Sequence, residues 1–200
     1  MLYKPDGKLK YLNKIHLWVA AELVEIVDEQ RNIKKWMRPL WASAEGNEGI
    51  VVYVSRLDAE ISIKHMNKHG ADWKVYPLND FNIEEMMLDS KAITEKEKYH
   101  FNFSFGFWVS NEKQLINKNG WLSQSFFSEA FDVNSLIEKE DNVIFRFSED
   151  LQNSFLKCWD EKIIIEPKYV DYLETINNND DKYIEEQAFN ALNATKTVDK

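Results

Sequence analysis

The chain of 200 residues contains one cysteine, Cys158, so an intramolecular disulfide is excluded and stability has to come from packing. A nucleophilic role would need a histidine partner that sequence cannot place, and Cys158 reads instead as a small core hydrophobe. Glycine is scarce, at six residues. Neither Gly-x-x-x-x-Gly-Lys nor Gly-x-Gly-x-x-Gly occurs, which removes support for a phosphate-cradling loop of either kind. Long apolar runs are missing. The longest uncharged one, Ile15 to Ala21, is interrupted by His16 and falls far short of the roughly 20 residues that span a bilayer. Met1-Leu-Tyr-Lys-Pro-Asp-Gly7 lacks a charged stretch followed by an apolar one, so no secretory signal is expected. These absences predict a cytoplasmic location and no membrane partner.

Positive charge is deficient, and unevenly so. Residues 1–75 hold 12 basic and 10 acidic side chains, whereas residues 76–200 hold 13 and 24, within a net charge of -9. An acidic half repels phosphate backbones, which disfavours nucleic acid as a partner. The same half suits a protein with a basic surface, because complementary potential speeds encounter and rejects wrong partners. Plain solubility explains the acidity equally well.

Apolar and aromatic residues are plentiful, at 44% and 14%, with seven Trp and twelve Phe. That composition predicts a packed core rather than a disordered chain. The fold class expected is α+β, with mostly antiparallel sheets and a few short packed helices. In Lys14 to Asp28, Ile15, Leu17 and Val19 alternate with Lys14 and His16 as in a strand, while Glu22, Glu25 and Glu29 have helical spacing. A hairpin tip at Asp28-Glu-Gln-Arg-Asn32, continued by Ile33 to Ala42, favours the strand. After a loop at Ala44 to Gly49, Ile50-Val-Val-Tyr-Val54 is β-branched and aromatic, a strand composition.

Ser55 and Asp58 then make a capping-box-like start to a helix ended by Gly70. Leu57 and Ile61 lie on one side of it and Ala59, Ile63 and Met66 on another, which predicts cover on both sides. Trp73 to Leu78 reads as strand, and Asn79-Asp80 as the cap of a short helix to about Leu88.

The polar stretch Asp89 to Lys98 divides a unit at residues 1–90 from a second at 98–176, with 177–200 a mobile or weakly helical tail. Phe101, Phe103, Phe105, Phe107 and Val109 alternate with Asn102, Ser104 and Gly106, a period of two that predicts a strand with one buried face. Asn117-Lys-Asn-Gly120 is a turn before Trp121. Val143 to Phe147 and Ile163 to Ile165 read as strands, and Ser148 to Trp159 as a helix. Ile184, Ala188 and Leu192 have the spacing of a weak amphipathic helix.

Few residues point to chemistry. His65 and His69 share a helix face and are able to grip a metal, yet Lys64 and Lys68 repel a cation and no third ligand has useful spacing. They read as a solvated helix end, where His suits the negative pole. Glu22, Glu25, Asp28, Glu29, Glu84 and Glu85 read as solvated faces rather than as paired acid and base. Arg31, Lys34, Lys35 and Arg38 interleave with Trp36 and Trp41, as in a base-stacking platform, but a hairpin with a polar outer face accounts for the pattern more simply. Trp108 and Trp121 stand at strand and turn positions outside the Phe stripe. They are the candidate partner-binding residues, with core packing as the competing reading.

Met37-Arg-Pro-Leu-Trp-Ala-Ser-Ala44, Ile50 to Ser55, Asp58-Ala-Glu60 and Trp73-Lys-Val-Tyr-Pro-Leu-Asn-Asp-Phe81 follow an order that resembles small bacterial domains related to the SseB (enhanced serine sensitivity) family. The resemblance covers about residues 36–88. It implies a compact α+β fold and a binding or accessory role, and it carries over no catalytic residue.

The expected function is therefore that of a non-enzymatic bacterial protein that binds a protein partner, in its sharpest form an immunity or inhibitor protein masking a basic toxin. A hydrolase or transferase with a site assembled from distant residues, or an accessory subunit of a larger assembly, remains the alternative. No cofactor is expected. Elemental analysis should find no stoichiometric zinc, iron or copper; a bound metal lost on changing His65 and His69 to Ala contradicts this.

Overall fold

The computed structural model describes residues 9–11, 16–44, 46–82, 98–132, 137–139, 142–145, 153, 157 and 180–198. Its strands are β1 (Leu9–Tyr11), β2 (Trp18–Val27), β3 (Ile33–Pro39), β4 (Trp41–Ala44), β5 (Asn47–Tyr53), β6 (Trp73–Pro77) and β7 (Lys98–Phe107). There follow β8 (Ile116–Lys118), β9 (Trp121–Leu122), β10 (Gln124–Asp132), β11 (Ile137–Lys139), β12 (Asn142–Phe145) and β13 (Lys196–Val198). Among the described residues the helices with both ends in view are α1 (Arg56–Asn67), α2 (Asp181–Asn193) and a 3-10 turn at Leu78–Asp80, and Asn153 and Lys157 are also helical. Most pairings are antiparallel, so the fold is α+β as the composition implies.

The main sheet runs β10-β7-β5-β2-β3, with β4 paired to β5 and β6 to β2. Strands from both sides of residue 90 therefore share one sheet. β2 and β3 form the expected hairpin. Asp28 closes its tip by accepting from the backbone amides of Gln30 and Asn32 at 2.9 and 2.8 Å. The Asn32 amide, aided by Lys34, holds the Asp28 carboxyl below its ordinary range.

The basic residues of β3 lie opposite carboxylates of β2. Lys35 pairs with Glu25 at 3.9 Å and Arg38 with Glu22, while Lys34 reaches Asp28 at 3.0 Å. Glu22 and Glu25 are three positions apart, so these ion pairs line both faces of the ribbon. Beyond Glu22 the ribbon passes β6, and Leu23, Val27 and Ile33 are exposed.

β5, α1 and β6 form a β-α-β unit with β2 lying between its strands. Ser55 caps α1 by accepting from the Asp58 amide, and Gly70 follows the helix at φ 88°, a conformation that favours glycine. Leu57 and Ile61 pack with Phe107, Val109, Leu115, Leu122 and the α2 residues Ile184, Ala188, Ala191 and Leu192. Ala59 and Ile63 pack with Ala20, Val51 and Tyr53 of the main sheet. Cover on both sides of the helix, expected from its two apolar stripes, is what the packing has. α2, read from sequence as part of a weakly helical tail, begins on the Asp180 cap and buries four residues in the first of these clusters.

β7 departs from the expected single buried face. Phe101 and Phe103 are buried, but so are Asn102 and Ser104. β7 is paired on both edges, by β5 and β10, and is covered on both faces. Asn102 is tolerated there because its amide donates to the carbonyls of Ala42 and Asn47 at 2.7 and 3.2 Å.

The phase of the aromatic stripe also breaks. Gln124 pairs with Phe107 and Phe126 with Ser104, so Phe105 and Gly106 oppose Ser125 alone. This bulge, with Gly106 at φ 99°, moves Phe107 and Val109 off the face of Phe101 and Phe103 and into the cluster beneath α1. The side chain of Phe105 lies outside the described residues. Asn79 and Asp80, expected to cap a helix to about Leu88, sit instead inside the 3-10 turn, which ends at an extended Phe81; residues 83–88, the strand at 163–165 and nearly all of the helix at 148–159 lie outside the described residues.

Phe103→Ala should cost about 3–5 kcal/mol. Asn102→Ala should cost about 1–3 kcal/mol, because it empties a fully buried site and removes the donor to the Ala42 and Asn47 carbonyls. Urea denaturation of the two variants checks this; an Asn102 variant as stable as the parent contradicts the two-sided burial.

Candidate functional site

The side chains of α1 that lie between its two apolar stripes include Ser62 and His65, with Met66 beside them at the edge of the second stripe. There the layers covering the helix part and leave a cleft of about 210 Å³. Leu40, Trp41, Ala42 and Val51 form its sheet side; Trp121, Leu122, Gln124 and Phe126 close it from β9 and β10. The lining is mainly apolar, with three polar groups that are fixed from behind.

Two of those groups, Ser62 and Gln124, belong to one buried chain of hydrogen bonds, and the third, His65, is held separately. The Tyr53 hydroxyl donates to Ser62 Oγ at 2.8 Å, and Gln124 Nε2 reaches the same oxygen at 3.4 Å. Ser104 Oγ donates to Gln124 Oε1 at 3.1 Å. The chain ties β5, α1, β10 and β7 together. Burial pushes the Tyr53 phenol well above its ordinary value, with the negative charge of Asp58 adding to the effect.

His65 is not part of a solvated helix end. It is buried, and its Nε2 lies 2.8 Å from the Gly120 carbonyl. A carbonyl only accepts, so Nε2 carries the hydrogen. This bond holds the β8–β9 turn, Asn119 (φ 55°) and Gly120 (φ 84°), against α1. Two successive residues at positive φ are what a tight type I′ hairpin requires. His69 is exposed and stacks edge-on with His65 at 5.9 Å. Among the described residues no three His, Cys, Asp or Glu side chains gather in a way that would hold a metal.

Ser62 and His65 share the cleft but no hydrogen bond joins them, so they form no nucleophile–base pair. Of the carboxylates weighed from sequence, Glu22, Glu25 and Asp28 serve the hairpin, and Glu29 is exposed. Glu84, Glu85 and Cys158 lie outside the described residues. Trp41 lines the cleft, whereas Trp36 is half-buried on β3, opposite Val24.

The two tryptophans singled out from sequence both lie at the small sheet β13-β8-β9. Trp121 stands at the rim of the cleft and is 67% exposed. It pairs with Lys118, which pairs with Val198, so the three lie side by side on the outer face. The next residue, Leu122, is buried on the inner face among the α1 and α2 side chains.

Trp108 adjoins the same sheet, donating its amide to Ser123 at 3.0 Å and accepting from Ile116 at 3.1 Å. It is 37% exposed, between the buried Phe107 and Val109. Ser62, Gln124 and Tyr53 were missed by sequence reasoning. They come from three distant segments, and nothing in their spacing marks them.

No family model, curated protein or solved structure matches the chain.

Tyr53→Phe should cost about 1–2 kcal/mol at pH 7 by leaving Ser62 short of a donor. The cost should shrink above pH 10. The buried phenol keeps its proton there while that of the unfolded chain is lost, so the parent protein loses stability with rising pH and the variant does not. Denaturation at pH 7 and pH 10.5 checks the sign; a cost that grows with pH contradicts it.

Proposed function

We propose that this is a non-enzymatic protein-binding protein, whose contact surface centres on Trp121 and Trp108 and takes in the cleft beside them. The observation that carries the reading is the exposure of Trp121 next to a buried neighbour, Leu122. A tryptophan contributing little to its own core and held on a short, well-anchored hairpin is a rigid aromatic anchor. The cleft supports the same reading through its size. At about 210 Å³ it is smaller than the roughly 300–1,000 Å³ of sites for small molecules and cofactors.

The partner proposed is a protein with a basic surface. Its support is the net charge of -9 and the exposed Asp181, Glu185 and Glu186 along α2. Glu60 on α1 adds to this field; burial raises its carboxyl above the ordinary value, opposed by Lys64 and Arg56 and reinforced by Glu185 and Asp181. In its sharpest form the proposal is a bacterial cytoplasmic immunity or inhibitor protein against a basic toxin. The resemblance of residues 36–88 to SseB-related domains supports a binding role. Among the described residues no helix is long and apolar enough to cross a membrane.

Affinity capture from the native cell, with mass spectrometry, tests the reading. Trp121→Ala and Trp108→Ala should each weaken capture while changing stability by about 1 kcal/mol or less, as surface substitutions do. Association should slow as salt rises, since screening shortens the steering field to about 8 Å at physiological ionic strength. Turnover of a small molecule with no captured polypeptide overturns it, as does a large fall in melting temperature for Trp121→Ala.

A further inference from the structure

The β2–β3 ribbon has one open edge. In a strand the N–H and C=O of a residue point to the same side, and successive residues alternate. The Ala20 carbonyl accepts from Leu40 on the β3 side and the Leu17 carbonyl from Leu78 on the β6 side, both at 2.9 Å. At the far end the Asp28 amide donates to Asn32, again on the β3 side. Leu23, Glu25 and Val27 therefore turn their backbone groups to the β6 side. There β6 begins only at Trp73, opposite Glu22, and Asn67 takes the outward Trp73 amide and carbonyl at 2.8 and 2.9 Å. Among the described residues no strand pairs with this edge of β2 between Leu23 and Val27.

Open edges are normally guarded by Lys or Pro. The other edge of the ribbon is guarded in this way, since β3 carries Lys34 and Lys35 and ends on Pro39. Leu23-Val-Glu-Ile-Val27 holds neither residue, and Val27 is 66% exposed, as is Ile33 opposite it. One face of the open edge is thus apolar at Leu23 and Val27, with the Glu25 carboxylate between them. Lys35 lies on one side of Glu25, at 3.9 Å, and the carboxylate side chain is 58% exposed.

Glu25 decides what fits. A second copy of the chain paired edge to edge, Leu23 on Val27, sets one Glu25 against the other, and like charges directly opposite destabilise a sheet. A cation in that position places the carboxylate between two positive charges.

We propose that this edge receives an extended segment of a partner polypeptide, paired backbone to backbone with β2, with Lys or Arg opposite Glu25 and apolar residues opposite Leu23 and Val27. The surface shares no residue with the one built on Trp121 and Trp108 and does not depend on it.

The probe is acetyl-Thr-Val-Thr-Lys-Thr-Val-Thr-amide, whose pattern reads the same in either direction, titrated into ¹⁵N-labelled protein. In the free protein the Glu25 and Val27 amides should exchange with solvent faster than those of Val24 and Ile26, which face β3. The peptide should slow that exchange and shift the Glu25 and Val27 signals saturably. Glu in place of its Lys should weaken binding about 5-fold, and Glu25→Lys should reverse the preference. N-methylation of the central peptide amide should abolish binding. Both peptide comparisons use the parent protein, so they decide the matter even if Glu25→Lys fails to fold.

The absence of a saturable shift overturns the proposal, as does equal binding of the Lys and Glu peptides or undiminished binding of the N-methyl peptide. Glu25 and Val27 amides already protected in the free protein overturn it too. Protection independent of concentration means that the chain covers its own edge; protection that grows with concentration means that a second copy does.

Discussion

Leu57 and Ile61 face one way from α1, Ala59 and Ile63 face another, and both pairs are buried in different surroundings. A helix held in this way is positioned by neither neighbour alone. The main sheet fixes its height and tilt through Ala20, Val51 and Tyr53, while α2 and the small sheet press on its far side. Each fully buried aliphatic side chain is worth about 1.5–3 kcal/mol, so neither layer can be lost without a large share of the stability. The β7 bulge belongs to this constraint, since it delivers Phe107 and Val109 to α1 while Phe101 and Phe103 stay on the opposite sheet face.

The cleft is a consequence of that arrangement. Where the two layers diverge, Ser62, His65 and Met66 line the gap, which is walled by strands that are themselves held by pairing. The polar side chains in it are anchored from outside the gap, Ser62 by Tyr53 and His65 by Gly120. A site of this kind is preorganised, and preorganisation lowers the entropy a binding event has to supply. The outer face of the small sheet shares the benefit, because Leu122 and Val109 anchor from below the hairpin that presents Trp121 and the strand end that presents Trp108. A binding surface proposed there would sit on packed structure rather than on a free loop.

Much of the fold was legible because it follows local rules. The hairpin tip at Asp28, the cap at Ser55, the terminator at Gly70 and the turn at Asn119-Gly120 are all stated by short runs of residues whose backbone or side-chain chemistry leaves few options. The double stripe on α1 was legible for the same reason. The illegible parts depend on partners distant in sequence. Asn102 and Ser104 look like an outward polar face until β4, β5 and β10 close over them. Nothing before Gly106 announces that the phase will shift. His65 looks like surface until a carbonyl 55 residues away is placed beside its ring. The cleft is the extreme case, with lining residues that run from Leu40 to Phe126 and no shared local signature. Trp108 and Trp121 were visible as being out of phase with the core, which is a statement about packing.

The central claim is that α1, the main sheet and α2 form one cooperative core. Native-state hydrogen exchange across a denaturant series tests it directly, because amides that open only by global unfolding converge on one free energy. The account predicts that the slowest amides of α1, of α2 around Ile184 to Leu192 and of β5 and β7 reach the same limit together. If the α2 amides exchange through a separate opening well below that limit while the sheet stays protected, the second side of α1 is not part of the core. The anchored tryptophan surface built upon it would then lose its foundation.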